Sequence, residues 1–470
     1  MNTLLKLCSV IFILANGLSL ANDQTKYTEE IEYLASNANK LMGFNGTVLI
    51  ANSDEILFQK SYGFSDKEKK TVLTPEHRLS PGSIAKEFTT VAVMMLKEKG
   101  LLSYEDKLSK YLPELPQWSS TVAIRDIMTH TSGLPKIKFK MNIASADVFE
   151  QISTVEKLEF EPGKGYLYGN MNVFLRALIV EQITGDSFEN YLHSSILKPA
   201  GMTSTYHRTH VNAETQPKMT SGVFPTAISG LTIYTTASDL YQWEKTLWNN
   251  TLVNIDALKK VILEKGLSGN NFRAYFDFGN YILNDKGELT DVMHDGSHPS
   301  HHAYKSINFA NDLIIILMSS DGRKSTLYEL HEGLTSISNN STIKLLASWW
   351  LSHQIKTKGV DSALEEYKLK LTSESEINSN EQTLNNLGYG LYANKQLEEA
   401  LKVMKLNLEL YPNSANTYDS YAELLIDANK QAEALPFIKQ GIKVATENKN
   451  DQLLTILKSK LIKFYDEVNK

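Results

Sequence analysis

The chain has 470 residues, of which 42% are hydrophobic and 22% charged, values typical of a folded globular protein rather than a disordered or fibrous one. This length exceeds one ordinary domain and predicts two or three folded units. The formal net charge of -6 gives no reason to expect a nucleic-acid partner.

Residues 1–21 have the pattern of a secretory signal peptide. Lys6 gives a positively charged start, an apolar run follows over 7–20, and Ser19 and Ala21 are the small residues that signal peptidase requires. The pattern predicts cleavage after Ala21 and a periplasmic or secreted protein. A buried first helix or a membrane anchor is the alternative, but the apolar run is too short to span a bilayer comfortably.

The only cysteine, Cys8, lies in this segment, so the mature chain is expected to contain no disulfide, no thiol nucleophile and no thiolate metal site. No later segment is apolar over a length that predicts a membrane-spanning helix. An exported fold without disulfides depends on the packing of its core alone.

Residues 24–345 are expected to form one α+β domain. Runs rich in β-branched residues predict strands at both ends of this region, and apolar residues at helical spacing predict helices between them. The predicted strands are 47–51, 56–58 and 313–318, and the predicted helices are 83–99 and 172–183. Because strands lie at both ends, the two ends of the domain are expected to meet in one sheet.

The last part of the chain, 357–470, lacks strong strand signals and predicts an all-α unit. Six pairs of residues recur at a spacing of 34, the tetratricopeptide period. The pairs are Leu384 and Tyr418, Leu387 and Tyr421, Gly388 and Ala422, Leu391 and Leu425, Ala400 and Ala434, and Met404 and Ile438. Small residues in two of these pairs predict close packing of helices. An unrelated helical bundle is the alternative.

Two repeats are fewer than the usual minimum of three, so helices at 362–371 and 451–465 are expected to cap them. Repeats of this type build concave surfaces that bind peptides, and they are compatible with a protein partner.

Ser83 and Lys86 form a Ser-x-x-Lys motif at the start of the helix predicted over 83–99. Residues three apart share a helix face, so the amine of Lys86 is expected beside the hydroxyl of Ser83. The helix N-terminus favours negative charge that develops on the serine, and it favours the neutral amine that a base requires. A helix-capping serine with a solvated lysine is the alternative, because this motif alone is weak.

A second element, Tyr168-Gly169-Asn170, precedes the helix predicted over 172–183. A loop here can direct a phenol and a carboxamide toward one site, the first to relay a proton and the second to hold a substrate carbonyl or Lys86. A core tyrosine and a turn asparagine are the alternative.

The third element is His294-Asp295-Gly296-Ser297, ahead of the strand pair that ends the domain. Glycine at position 296 allows substrate backbone to lie close. The backbone N–H of Ser297 can join that of Ser83 in an oxyanion hole, which stabilises the charge of an acyl-transfer intermediate.

Three more histidines follow, namely His298, His301 and His302, and they raise the alternative of a metal site. Pro299 interrupts the helix that a metal-binding pair four residues apart would need, and no carboxylate or thiol cluster accompanies them. The sequence therefore predicts no metal and no other cofactor.

The three elements, in this order and at roughly these spacings, resemble the class C β-lactamase, D,D-peptidase and esterase superfamily of serine hydrolases. Further segments that resemble the family are 127–135, 199–205 and 229–240. The resemblance implies an antiparallel sheet flanked by helices with a helical subdomain, and a bacterial envelope as the setting. His130-Thr131-Ser132-Gly133, within the first of these segments, is explained by a capping threonine and a turn glycine without chemistry.

The resemblance also implies roles for the motif residues. Ser83 is the acylated nucleophile, Lys86 lowers its proton affinity, and Tyr168 acts first as a base with Lys86 and then as an acid toward the leaving group. The residues implied to bind the substrate are Asn170, His294, Gly296 and Ser297.

Three departures from the family pattern bear on the substrate. Class C β-lactamases mostly carry Lys-Thr-Gly as the third motif, whereas a neutral His294 binds an anion less well and Asp295 adds negative charge. Efficient β-lactam hydrolysis is therefore not expected. Gly169 replaces a usual serine with little consequence, and Ser300-His301 replaces Gly-Phe, which alters the local shape of the pocket.

The sequence thus predicts an exported serine hydrolase that acts through an acyl-enzyme on a small ester, a D-amino-acid peptide or a related amide. Two alternatives stand beside it. One is a penicillin-binding-type module that holds acyl groups or peptides without turnover while its repeats dock a protein partner. The other is a metal-dependent enzyme that uses the histidine-rich segment.

Overall fold

The computed structural model describes residues 28–138, 143–207, 228–256, 277–284, 286–298, 300–320, 324–338, 345–372, 377–378 and 380–468. The predicted signal peptide lies outside them. Within these ranges no helix has the length and apolar character needed to cross a bilayer. The chain divides into two compact units, of which one is Phe44–His331 and the other combines the residues up to Gly43 with Glu332–Lys470.

The strands are β1 (Gly46–Ala51), β2 (Ile56–Tyr62), β3 (Tyr206–His207), β4 (Ile233–Tyr234), β5 (Asn280–Leu283), β6 (Leu289–Ser297), β7 (His302–Asn308), β8 (Leu313–Ser319), β9 (Leu345–Leu346) and β10 (Ile377–Asn378). Six of them form one antiparallel sheet in the order β2-β1-β8-β7-β6-β5. Strand β1 pairs with β8, Gly46 opposite Ser319, so the two ends of the domain meet as predicted.

Strand β8 is central and every residue in it is buried, which explains its unbroken apolar run. The turn between β1 and β2 is set by Asn52, whose Oδ1 accepts hydrogen bonds from the N–H groups of Asp54 at 2.9 Å and Glu55 at 2.7 Å. A side chain that bonds its own backbone in this way fixes a tight turn and hence the register of the hairpin.

The helices before the C-terminal part are α1 (28–37), α2 (Lys86–Glu98), α3 (Ile124–Met128), α4 (Ser145–Ser153), α5 (Asn170–Thr184), α6 (Phe188–Tyr191), α7 (Ala237–Trp248) and α8 (Lys324–Ser338). Helices α2 and α5 pack against each other in the main core, and α7 packs against β1 and β8. Gly100 and Gly185, both with left-handed backbone, follow α2 and α5 and end them as expected.

Two helix starts differ from the sequence prediction. The helix predicted over 83–99 begins as a 3-10 turn, Gly82–Ala85, and becomes α-helical only at Lys86, because Gly82 enters with a positive φ of 57°. Helix α5 begins at Asn170 rather than at 172, since Gly169 provides the extended residue that precedes a helix.

The C-terminal part is helical, with α9 (Ala347–Lys358), α10 (Val360–Thr372), α11 (Glu381–Ala393), α12 (Leu397–Leu410), α13 (Ala415–Asp427), α14 (Gln431–Glu447) and α15 (Asp451–Val468). Helices α11 and α13 begin 34 residues apart, and so do α12 and α14. A side chain at Gly388 in α11 would press on Met404 in α12, so glycine allows the two helices to pack closely. Strand β10 lies in a region where no strand was predicted. It has only two residues, which is too short for a periodic pattern in the sequence.

Candidate active site

Ser83 lies in the 3-10 turn before α2, and Lys86 is the first residue of that helix. The buried Lys86 Nζ donates a hydrogen bond of 3.0 Å to Ser83 Oγ. Ile84 and Ala85 are buried in the core and hold the turn against the sheet. Ser83, in the same turn, is not buried. The three-residue spacing thus places amine and hydroxyl in contact, as predicted.

Tyr168 completes the group around Ser83. Its hydroxyl lies 3.0 Å from Ser83 Oγ, so the serine oxygen has hydrogen bonds from both the phenol and the amine. The ammonium position of Lys86 is 5.1 Å from the centroid of the Tyr168 ring, which is within the range of a cation–π contact. Two donors on one hydroxyl oxygen stabilise the negative charge that develops when its proton leaves.

A buried group, here called the Tyr168-side cluster and made of His130, Arg176 and Asp277, supports this tyrosine. The His130 ring lies 4.6 Å from the Tyr168 ring, and its Nδ1 accepts a 3.3 Å hydrogen bond from the N–H of Gly169. Its Nε2 lies 2.9 Å from Asp277 Oδ1, and Arg176 donates to the other carboxylate oxygen at 2.5 Å. Since Nδ1 accepts, the proton of His130 belongs on Nε2.

The charges in this cluster follow from its burial. Burial lowers the pKa of His130, so the imidazole is neutral, although Asp277 opposes the effect. Burial alone would raise the pKa of Asp277, but His130 and Arg176 hold it far below the ordinary value. His130, which has a positive φ of 56°, is therefore a support for the Tyr168 loop, beyond the turn role that the sequence suggests.

Asn170, the first residue of α5, brings a polar group to the same loop. Its side-chain Oδ1 is buried and has no hydrogen-bond partner among the described residues. A buried carbonyl oxygen without a hydrogen-bond partner destabilises the fold, and a hydrogen bond donated by a ligand would offset that cost.

The third motif differs from the sequence expectation in its setting. His294, Gly296 and Ser297 lie inside strand β6 rather than ahead of the strands. Of the three histidines that follow, His298 and His301 lie between β6 and β7, and His302 is the first residue of β7. A side chain at Gly296 would collide with the carbonyl of Pro81 and the nitrogen of Ser83. Glycine is needed there for the approach of the protein's own Ser83 turn, whereas the sequence suggested an approach of substrate backbone.

The backbone N–H of Ser297 faces this turn as well. His298 donates to the carbonyl of His301 at 2.7 Å, so the next pair, Ser297 and His302, is a non-bonded pair of the antiparallel ladder. The Ser297 N–H therefore points away from β7. A side chain at Gly82 would collide with that nitrogen, which places it beside the Ser83 turn, where an oxyanion hole requires it.

A second buried group, the His294-side cluster, consists of Glu87, Glu244, His294 and Lys305. Glu87 Oε1 lies 2.5 Å from His294 Nδ1, and Glu87 Oε2 accepts from Lys305 Nζ at 2.8 Å. Lys305 also pairs with Glu244. Burial would raise the pKa of Glu87, but Lys305 and His294 lower it, whereas burial leaves the pKa of Glu244 raised. Both carboxylates raise the pKa of Lys305 against the effect of its burial.

The structure determines two charges at and just after the third motif. Asp295 forms an ion pair of 2.5 Å with Lys324, so its negative charge is partly compensated. Burial, together with His302 and Lys86, lowers the pKa of His298 to about 4, which leaves this histidine neutral at pH 7. Among the described residues no three His, Cys, Asp or Glu side chains are grouped so as to hold a metal ion.

Sequence reasoning missed the buried charged residues of both clusters: Glu87, Arg176, Glu244, Asp277 and Lys305. A signal existed for Arg176, since it stands within the apolar run 173–180 and a charged residue so placed is expected to be buried. Glu87 follows directly after the motif lysine in an apolar helix and carried a similar signal.

Fold and site together define the class of serine hydrolases that contains β-lactamases and penicillin-binding proteins. Residues 34–332 match the family model described as Beta-lactamase, and the chain belongs to this family. It is similar to a penicillin-binding protein of Bacillus subtilis (strain 168), at 28% identity over 323 residues that cover 61% of this chain and 70% of the relative.

Two solved structures share the fold. One is a penicillin binding protein from Bacillus halodurans, with a TM-score of 0.56 and 21% identity, covering 65% of this chain and 98% of that chain. The other is a class C β-lactamase, with a TM-score of 0.56 and 16% identity, covering 68% of this chain and 97% of that chain. The family likeness inferred from the motifs is thereby confirmed.

Proposed function

We propose that this protein hydrolyses an ester or amide through an acyl-enzyme on Ser83. The observation that supports this most directly is the contact of Ser83 Oγ with Lys86 Nζ and with the Tyr168 hydroxyl, each at 3.0 Å. A hydroxyl becomes a good nucleophile when adjacent groups take its proton in the transition state. The two contacts provide one group to take the proton and a second to stabilise or relay it.

The steps follow from these contacts. Ser83 Oγ attacks the substrate carbonyl while its proton passes to the Lys86 and Tyr168 pair, and the N–H groups of Ser83 and Ser297 stabilise the oxyanion. The intermediate collapses, the bond to the leaving group breaks, and Tyr168 returns the proton to that group. Water then attacks the acyl carbonyl, gives its proton to the same pair and frees the acid, which restores the Ser83 hydroxyl.

The site favours small esters, D-amino-acid peptides or related amides over β-lactams as substrates. The unpartnered Asn170 Oδ1 suits a substrate with an amide N–H near the scissile bond. The third motif carries His294 where class C β-lactamases mostly have lysine, so no permanent cation is present there to bind a drug carboxylate. We therefore expect weak β-lactam hydrolysis.

The test compares Ser83→Ala with the wild-type chain on a short-chain nitrophenyl ester. We expect multiple turnovers in the wild type and loss of turnover in the variant, without a change in the unfolding midpoint. The control is Ser238→Ala, a serine that is half-buried like Ser83 and whose hydroxyl bonds Gln59 rather than Lys86 or Tyr168. Activity retained in Ser83→Ala would exclude Ser83 as the nucleophile.

A second candidate is a penicillin-binding-type module that keeps its acyl group and docks a protein partner through the C-terminal helices. The paired helices α11–α12 and α13–α14, which begin at the repeat spacing, favour such a role. Mass spectrometry after addition of a nitrophenyl ester distinguishes the two: a lasting stoichiometric adduct supports the module, and a transient one the hydrolase. Under either proposal, the expected signal peptide would place the protein in the periplasm or outside the cell.

A further inference from the structure

The two glutamates of the His294-side cluster have almost the same surroundings. Glu87 Oε2 accepts from Lys305 and, at 2.6 Å, from the indole of Trp243. Glu244 pairs with the same lysine and accepts from the indole of Trp248 at 2.8 Å. Both are buried. They differ in one contact, because only Glu87 reaches His294.

His294 lies on the side of β6 that faces the nucleophile. Residues two apart in a strand share a face, and at Gly296 that face meets the turn carrying Ser83. The His294 Nδ1 is 2.5 Å from Glu87, while its Nε2 makes no hydrogen bond within the described part of the chain. The side chain keeps 10% of its surface exposed. Its Nε2 is thus the nitrogen left for a ligand, on the face of β6 that meets the Ser83 turn.

We propose that Glu87 is the positioning residue for His294: it holds the imidazole proton on Nδ1 and thereby presents Nε2 to the substrate as a hydrogen-bond acceptor. A carboxylate accepts hydrogen bonds and donates none, so the nitrogen facing it must carry the proton. Glu87 remains ionised because Lys305 and His294 lower its pKa against the effect of burial. Burial, together with the charge of Glu87, raises the pKa of Glu244 instead.

This inference rests on the proposed function, since it assigns to His294 a role toward the substrate of Ser83. It specifies that substrate further: a group with an N–H or O–H next to the scissile carbonyl can donate to Nε2. A lysine at position 294 would instead donate a hydrogen bond, and it would select a substrate group that accepts one or carries a negative charge.

The first test is nitrogen NMR of His294 in the full chain, with the signal assigned through His294→Asn. We expect a protonated Nδ1 in the wild type and in Glu244→Gln. In Glu87→Gln the amide can donate to Nδ1, so the proton should move to Nε2. A wild-type Nδ1 without a proton, or a Glu87→Gln spectrum like that of Glu244→Gln, would refute the proposal. The wild-type spectrum is decisive even if Glu87→Gln does not fold.

The second test measures kcat and KM with p-nitrophenyl acetate. Glu87→Gln is expected to lower kcat/KM roughly 10- to 100-fold, the effect of a lost hydrogen bond to a charged group. Glu244→Gln, which disturbs the same lysine, should lower it several times less. In a His294→Ala background Glu87→Gln should have little further effect, because its action passes through His294. A full effect in that background would mean that Glu87 acts elsewhere, for instance on Lys86.

The two proposals fail differently. If Ser83 is not a nucleophile, the wild type shows no turnover that depends on Ser83, yet the tautomer of His294 still reports on Glu87. If Ser83 is the nucleophile and Glu87 only neutralises Lys305, the two glutamate variants have equal activity and equal spectra.

Discussion

The two buried clusters around Ser83 use the same kinds of side chain differently. In the Tyr168-side cluster one carboxylate, Asp277, meets one guanidinium, and both nitrogens of His130 have partners. In the His294-side cluster two carboxylates share Lys305, and His294 keeps one nitrogen open. The first cluster is complete in itself and serves to hold a loop. The second has a carboxylate in excess and an unused nitrogen, and is suited to interact with a substrate.

The largest effect is expected when the first cluster loses its only permanent cation. Arg176→Met leaves the Asp277 carboxylate buried beside a neutral imidazole, which should lower the free energy of unfolding by about 3–5 kcal/mol. Urea denaturation measures the change. The matched control is Arg125→Met, whose pair with Glu105 is solvent-exposed, and it should cost about 1 kcal/mol or less. Equal losses in the two variants would show that the Tyr168-side cluster is no more important than a surface pair.

An intermediate effect is expected on turnover when the support of Tyr168 is removed. His130→Asn deletes the ring that contacts Tyr168 and the bond from Nε2 to Asp277, so kcat should fall roughly 10- to 100-fold as the phenol loses its position. The control is His331→Asn, since this histidine bonds Ser306 and contacts Tyr304, away from Ser83. We expect the control to lose stability but not kcat. A similar kcat for both variants would contradict the supporting role of His130.

The smallest effect is a difference in pH dependence. The folded pKa of His130 is below its ordinary 6.5, so the unfolded chain binds more protons there and stability falls as the pH drops below 6.5. The folded pKa of Glu244 is above its ordinary 4.5, so the folded chain binds more protons and stability falls as the pH rises from 4.5 through the raised pKa.

Unfolding free energies of His130→Asn and Glu244→Gln between pH 4.5 and 6.5 test these opposite signs. Relative to wild type, the first variant should become comparatively more stable toward the acid end, and the second toward the neutral end. A relative change of the same sign in both variants would mean that the two clusters titrate alike.

The sequence allowed the fold and the contact between Ser83 and Lys86 to be predicted, because their signals are local or ordered. The spacing of Ser83 and Lys86 places both at one helix start, and the apolar run of β8 marks a central strand. The buried clusters could not be predicted, because their contacts join residues far apart in the chain. Glu87 meets His294 across 207 positions, and His130 meets Asp277 across 147. Charged residues are usually exposed, so apart from the apolar neighbours of Arg176 and Glu87 the sequence gives no reason to bury them.

The pairing of β1 with β8 has a consequence for how the molecule is made. Every residue of β1 is buried. One edge of this strand is covered only by β8, which is synthesised much later as residues 313–319. During synthesis, the edge of β1 that pairs with β8 therefore remains unpaired until nearly the whole domain has left the ribosome. An uncovered apolar edge of this kind invites strand addition from other chains. Chains that end before residue 313 should therefore aggregate, whereas those that extend past Ser319 should not.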